Sequence, residues 1–242
     1  MTILLEVAVD SPQGLLAAVE GGASRIELCA ALAVGGLTPC PGMIALAAGL
    51  QCPSRAMIRP RVGGFVYSAA ELEVMRKDID AVRQAGLAGV VFGANLADGR
   101  LDEDALRLLV DQAAGLEIAL HRSIDLTPDP LAAMEIAIEF GIHTILTSGG
   151  RNNAADGSEV IAAMRKQAAG RIEILAGGGV KPENVAALIA ATGVRSVHGS
   201  CSAPYRDADP RAESFGFVTS DAKDTKIGQV RAMRTALHLI SV

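Results

Sequence analysis

The sequence predicts a single-domain (β/α)8 barrel, a TIM barrel, over residues 1–242, and three observations predict it. Eight short apolar runs alternate with helical stretches, polar residues suited to chemistry collect at the downstream ends of those runs, and a glycine-led pentad recurs at alternate junctions. Eight β-α alternations in about 250 residues suit a closed barrel, whose sites lie at the C-terminal ends of its strands.

The runs are 3–9, 25–29, 56–59, 89–92, 117–121, 144–147, 172–176 and 196–198. At or beyond their ends stand Asp10, Cys29, Arg59 with Arg61, Asn95, His121 with Arg122 and Asp125, Ser148, the glycines 177–179, and Gly199 with Ser200. In the first two strands side chains alternate between the barrel interior and the helix-facing side. Glu6, Ala8 and Asp10 share one face, as do Arg25, Glu27 and Cys29, whereas Leu5, Val7, Val9, Ile26 and Leu28 should meet the helices. Glu6, Arg25 and Glu27 therefore project inward, where a bare charge is costly unless paired. An internal ion network that fills the barrel is one reading of them, and a functional site is the other.

Between the strands, helical periodicity is clearest over 69–85, where Leu72, Met75, Ile79 and Val82 make an apolar stripe. Ser68 with Glu71 forms a capping box and Gly86 supplies the stop. Over 131–140, Pro130 suits a first turn, Leu131, Met134 and Ile138 make the buried stripe, and Gly141 closes it. The pentads begin at Gly22, Gly86, Gly141 and Gly193, so each should end a helix and enter an even-numbered strand. A polar, turn-rich stretch near 203–224 reads as a long loop before a final helix near 227–239, able to cover the site or to be a plain surface loop.

Composition narrows the function classes. The net charge of −5 gives no nucleic-acid footprint, yet two basic side chains still suffice to clamp a small anion. No apolar run approaches the ~20 residues that span a bilayer, and Met1-Thr2-Ile3-Leu4-Leu5-Glu6 lacks the pattern of a secretory signal. Cys29, Cys40, Cys52 and Cys201 form no CxxC pair, so the expectation is a cytoplasmic protein with reduced thiols and no membrane partner.

Four groups of residues carry possible chemistry. Met57-Ile58-Arg59-Pro60-Arg61 puts guanidinium forks at the barrel mouth, suited to carboxylate or phosphate, unless one of them pairs with Glu27 or another internal carboxylate. His121 ends the fifth strand, where imidazole transfers protons or ligates a metal, with Glu6 or Glu27 as its expected inward partner; a hydrogen-bonded core histidine is the alternative. Thr147-Ser148-Gly149-Gly150 and Gly177-Gly178-Gly179-Val180 allow backbone amides to approach an oxyanion, and Gly199 with Ser200 supplies the matching side of a barrel phosphate cradle. Tight βα turns need glycines in any case. Cys29 and Cys40 are candidate soft-metal ligands for Cu(I), although no ligand spacing enforces it and a free cysteine is often a small buried hydrophobe.

Assembled, these segments resemble the CutC family of copper homeostasis proteins from about residue 5 to residue 200. The resemblance rests on Leu5-Glu6-Val7-Ala8-Val9-Asp10-Ser11, Gly21-Gly22-Ala23-Ser24-Arg25-Ile26-Glu27-Leu28-Cys29, Gly35-Gly36-Leu37-Thr38-Pro39, the Arg59-Pro60-Arg61 loop, His121-Arg122, Leu146-Thr147-Ser148-Gly149-Gly150 and Ala176-Gly177-Gly178-Gly179-Val180. It implies a cytoplasmic, self-associating TIM barrel that handles copper, with Cys29 in the family's Glu-Leu-Cys position. The chain departs from the family at Ala8, where relatives often carry Cys. It also departs at Leu120 and Ser123-Ile124 around the histidine motif, and in Val62-Gly63-Gly64-Phe65, which lacks an acid usual there.

Two functional expectations follow. One is a Cu(I)-binding homo-oligomer with Cys29 as principal ligand and Cys40 as a second. The other is an enzyme for a small anionic or phosphorylated metabolite. There Arg59 and Arg61 fix the anion, Ser148, Gly149, Gly178, Gly179, Gly199 and Ser200 cradle phosphate, and His121 transfers a proton. Glu6 and Glu27 orient the histidine or hold a divalent cation.

Overall fold

In a computed structural model describing residues 3–205, 209 and 211–240, eight parallel strands close on themselves in sequence order. They are β1 (Leu4–Val9), β2 (Arg25–Leu28), β3 (Ser54–Met57), β4 (Gly89–Phe92), β5 (Glu117–Leu120), β6 (Thr144–Thr147), β7 (Glu173–Ala176) and β8 (Ser196–Gly199). Helices α1 (Pro12–Gly21), α2 (Pro41–Ala48), α3 (Ala69–Ala85), α4 (Glu103–Gln112), α5 (Pro130–Glu139), α6 (Ser158–Ala168) and α7 (Val185–Thr192) connect them. The TIM barrel is thus the observed architecture. The third strand starts at Ser54, two residues before its apolar run, which brings Arg55 into the barrel wall.

The four pentad glycines behave alike. Gly22, Gly86, Gly141 and Gly193 follow α1, α3, α5 and α7 with φ of +92°, +80°, +73° and +68°, and each leads into an even-numbered strand. A side chain is strained in that left-handed region, so glycine ends the helix cheaply. The Ser68/Glu71 capping box forms with both of its bonds. On α5 the buried residues are Ala133, Met134 and Ala137, while Leu131 and Ile138 are only partly buried. The stripe is rotated toward the small residues, which let α5 pack close to the sheet.

Strand parity holds. Leu5, Val7, Val9, Ile26 and Leu28 join the large core between sheet and helices, whereas Cys29, Met57, Val91 and Ala119 form a small separate apolar cluster. The stretch near 203–224 is more ordered than a plain loop. It holds an antiparallel pair, β9 (Ser202–Pro204) with β10 (Lys223–Thr225), and a short helix α8 (Arg211–Ser214); positions 206–208 and 210 lie outside the described residues. Thr225 Oγ1 donates to Ala8 O (3.3 Å) and Ser200 O (2.9 Å), and Ser11 Oγ to Asp224 Oδ1 (2.8 Å). These bonds tie β10 to the first and last barrel strands before α9 (Ile227–Ile240).

Candidate functional site

The barrel interior is built around Glu6. Register sets Glu6 beside Arg25 on β2 and beside His198 on β8, and sets Glu27 beside Arg55 on β3. Glu6 accepts a short charged hydrogen bond from Arg25 Nε, lies 2.9 Å from His198 Nδ1, and has Arg55 Nη1 at 3.9 Å. Arg25 also reaches both oxygens of Glu173 at 3.2 Å, and Arg55 donates to Glu117 Oε2 (2.7 Å) and Thr144 Oγ1 (3.0 Å). The ion-network reading is therefore realised by Glu6, Arg25, Arg55, Glu117 and Glu173, and it fills the end of the barrel where the strands begin.

Toward the other end, His198 stands between two carboxylates, with Nε2 3.7 Å from Glu27 Oε2. Cys29 Sγ donates to that same Glu27 oxygen at 3.6 Å, and Glu27 Oε1 is buried without a hydrogen bond. Environment separates the two carboxyls. Burial pushes Glu6 up, but the His198 hydrogen bond, Arg25 and Arg55 more than offset it and hold the group at about 2. Glu27 is raised, by burial first, with the Glu6 charge adding to it. Burial lowers His198, yet the charge of Glu27 and the bond to Glu6 raise it overall. Burial, then Glu27, pushes the Cys29 thiol well up.

Glu6, Glu27 and His198 each offer a ligand atom, all within 4.8 Å of one another. Cys29 is the softest donor nearby, its sulfur and His198 Nε2 each approaching Glu27 Oε2, but it is not a member of that cluster. Cys40 is exposed at the N-cap of α2, remote in character from the buried Cys29.

The rim at β3 to β5 corrects two expectations. Arg59 presents no free fork: Nη1 donates to Val34 O (2.8 Å) and Gly36 O (2.9 Å), and Nη2 to Gly63 O (2.7 Å). Arg61 ion-pairs with Glu71 and donates to the carbonyls of Gly64 (2.9 Å) and Val66 (2.7 Å). Both arginines brace loop 60–67. His121 is not the partner of Glu6 or Glu27, since His198 holds that place. Its Nδ1 accepts from Ser123 N (3.2 Å), its ring packs on Phe65 with centroids 4.5 Å apart, and burial lowers it to about 3. A neutral imidazole of that kind donates a hydrogen bond and does not take up a proton.

The glycine turn after β6 is occupied from within the chain. Asp125 accepts from Ser148 N, Gly150 N, Thr147 Oγ1 and Ser148 Oγ, and Gly149 N donates to Thr147 Oγ1. Ser148 and Gly149 thus have no amide left for phosphate, because a carboxylate already fills the nest. The turn after β7 differs. The amides of Gly178 and Gly179 donate to no group among the described residues, and a Cβ on Gly178 would lie 3.5 Å from Arg122 Cζ. Arg122, tied to Asp125 (2.8 Å) and Ser148 Oγ (2.6 Å), is a cation held over those amides. Gly199 closes the same corner, with a Cβ there 3.3 Å from Val180 O, whereas the Ser200 hydroxyl is engaged with Ser202 at 2.9 Å.

Sequence reasoning did not single out Arg55 or His198, and it noted Arg122 only as the neighbour of His121 at the end of the fifth strand. Extending the alternation rule to β8 pairs Ser196 with His198 on one face and would have found the histidine.

Comparison with known proteins fits these features. The CutC family profile matches residues 3–203. A CutC family protein of Caulobacter vibrioides is 50% identical over 240 residues, covering 98% of each chain. One from Rhizobium meliloti is 50% identical over 235 residues, covering 97% of this chain and 96% of that one. A crystal structure of a CutC protein from Streptococcus agalactiae, named there as a proposed copper homeostasis protein, superposes with a TM-score of 0.79. It is 32% identical and covers 82% of this chain and 99% of that one. A phosphoribosyl anthranilate isomerase from Thermococcus kodakaraensis shares the fold alone, at TM-score 0.59 and 16% identity over 98% of this chain and 99% of that one.

Proposed function

The chain belongs to the CutC family, and we propose that its barrel mouth is the acid–base site of an enzyme acting on a small anionic, phosphorylated metabolite. The observation that carries this is His198 held between Glu6 at 2.9 Å and Glu27 at 3.7 Å. Glu6, fixed as a carboxylate, orients the imidazole through Nδ1. Glu27, whose proton affinity burial raises, exchanges a proton with Nε2 or with a substrate atom above it. Paired groups whose environments drive their proton affinities apart are how acid and base roles are divided. The amides of Gly178 and Gly179, which donate to no group among the described residues, with Arg122 beside Gly178, support anion capture at the β7–β8 corner.

The test is a screen of phosphorylated sugars and acids for turnover, repeated with Glu27→Gln and His198→Asn, alongside amide NMR with inorganic phosphate. A positioned acid or base contributes about 10²–10⁴-fold, so both variants should lose rate on that scale while phosphate still shifts Gly178 and Gly179. Unmoved amides together with no turnover by the wild type would refute the reading.

Copper handling is the second reading. What favours it is that Cys29 Sγ and His198 Nε2 flank one Glu27 oxygen at 3.6 and 3.7 Å. In this account Cys29 and His198 hold Cu(I) in a cytoplasmic protein whose four thiols are free, and Cys40 contributes nothing. Anaerobic Cu(I) titration should show Cys29→Ala losing the site and Cys40→Ala keeping it. Equal affinity of the wild type and Cys29→Ala rules copper out.

A further inference from the structure

Five buried polar atoms on the β3–β5 rim have no hydrogen-bond partner among the described residues: Arg59 Nε, the Tyr67 hydroxyl, His121 Nε2, Ser123 Oγ and Asn95 Oδ1. They form one group. The Phe65 ring lies against His121 at 4.5 Å and under the Arg59 guanidinium at 5.3 Å, and Phe65 O accepts from Asn95 N at 2.9 Å. A Cβ on Gly93 would collide with Ser123 Oγ and lie 2.7 Å from His121 Cε1, so glycine at the end of β4 is what lets these two side chains pack against that strand. Buried polar atoms are normally satisfied, and a cluster of exceptions at the catalytic end of a barrel calls for an occupant.

The polarity of the cluster defines that occupant. His121 Nδ1 accepts from Ser123 N, so the ring proton sits on Nε2, which donates. Arg59 Nε donates. Asn95 Nδ2 is spent on Gly99 O (2.8 Å) and Ser123 O (3.2 Å), which leaves Oδ1 as an acceptor. Ser123 Oγ does either. Arg59 is also 6% exposed and braced by carbonyls with the Tyr67 hydroxyl beside it, with no carboxylate in ion-pair range among the described residues. Its charge is uncompensated, and a buried charge in that condition favours an anion. Water satisfies donors and acceptors equally and brings no negative charge.

We infer that this rim is a carboxylate subsite for a small α-hydroxy acid: the carboxylate accepts from Arg59 Nε, His121 Nε2 and Ser123 Oγ, and the hydroxyl donates to Asn95 Oδ1. The subsite rests on reading the barrel mouth as a substrate site, and it names that substrate's other end, held beyond β3, β4 and β5 whereas Glu27 and His198 stand on β2 and β8. His121 is here a binding donor, kept neutral by burial, and no proton passes through it. Phe65 and loop 60–67 cover the subsite.

Glycolate is the probe, titrated into protein labelled with 15N at its four histidines. The His121 Nε2–H signal should shift as glycolate saturates, and acetate, lacking the hydroxyl, should bind about tenfold more weakly. Ser123→Ala should bind glycolate about tenfold more weakly yet melt about 2–4 °C higher when free of ligand, because an unpaired buried hydroxyl has been removed. His121→Gln, which keeps an N–H donor, should retain binding that His121→Phe loses. A His121 signal unmoved by a large excess of glycolate overturns the inference, as does a Ser123→Ala protein that melts lower with unchanged affinity. Glu27→Gln separates the two proposals: it should bind glycolate normally, so lost turnover with intact binding bears on the acid–base pair alone.

Discussion

Replacing Glu6 by Gln removes the anion on which the barrel interior is organised. Arg25 would keep Glu173 and Arg55 would keep Glu117 and Thr144, while the one remaining amide oxygen could accept from Arg25 or from His198 Nδ1 but not from both, and the amide NH2 would face the other donor. Two estimates of the cost converge. A carboxyl held at about 2 instead of the ordinary 4.5 corresponds to about 3 kcal/mol at neutral pH. Removing one partner of a buried ion pair costs about 3–5 kcal/mol by general experience. At this chain length about 2 °C of melting temperature accompanies each kcal/mol, so Glu6→Gln should melt about 6–10 °C below the wild type. The sign in pH is fixed by the direction of the shift. The folded-state value is depressed, so the contribution is complete above the unfolded value near 4.5 and disappears as pH falls through about 2. Urea unfolding followed by circular dichroism, run from neutral pH downward, should show the gap between the two proteins closing across that window. A gap under about 1 kcal/mol at pH 7, or one that does not narrow on acidification, refutes the assignment of Glu6 as the organising anion.

Three further outcomes are expected. Asp125→Asn keeps one acceptor oxygen for Thr147, Ser148 N and Gly150 N but sets an NH2 against Arg122 Nε and Ser148 Oγ and removes the charge paired with Arg122; it should cost about 2–4 kcal/mol in urea unfolding and speed hydrogen exchange of the turn amides. Gly149→Ala adds a Cβ that collides with Gly157 O at a φ of +71°, so strain and overpacking together should cost about 3 kcal/mol and lower the melting temperature by about 6 °C. In native protein iodoacetamide should modify exposed Cys40 well before buried Cys29 and Cys52, whose thiols burial raises, as peptide mass spectrometry of a time course would show.

Much of the barrel was legible because its rules are local. Alternation alone put Glu6, Arg25 and Glu27 inside, and the pentad glycines marked four helix ends. What failed was non-local. His198 meets Glu6 across 192 residues because the last strand of a closed sheet lies beside the first, and nothing near His198 in sequence announces that neighbour. Arg55 was missed because the third strand begins on polar residues, before its apolar run. The Ser148-Gly149-Gly150 turn reads as an anion nest and is one, but its anion is Asp125, 23 residues earlier. A glycine motif reports that amides can converge, not whether they are already engaged.

Charge accounting inside the barrel explains why its mouth has the character it does. Arg25 and Arg55 face Glu6, Glu173 and Glu117, two cations to three carboxylates, so the charges where the strands begin are paired within the chain and act as structure. Two groups are left over. Glu27 is an acid with no arginine or lysine in ion-pair range among the described residues, only His198 at 3.7 Å, and burial raises its proton affinity. Arg59 is a cation with no anion in contact, fixed by three carbonyls. Had stability alone shaped the interior, the two would neutralise one another, since an unpaired buried charge is among the costlier features a fold can carry. They are instead set on different sectors of the rim, beside two histidines driven in opposite directions, His198 upward between carboxylates and His121 down to about 3 by burial. A molecule that brings an anion to Arg59 and exchanges a proton near Glu27 would relieve both at once. That complementarity favours a substrate over a purely structural core as the reason these residues stand where they do.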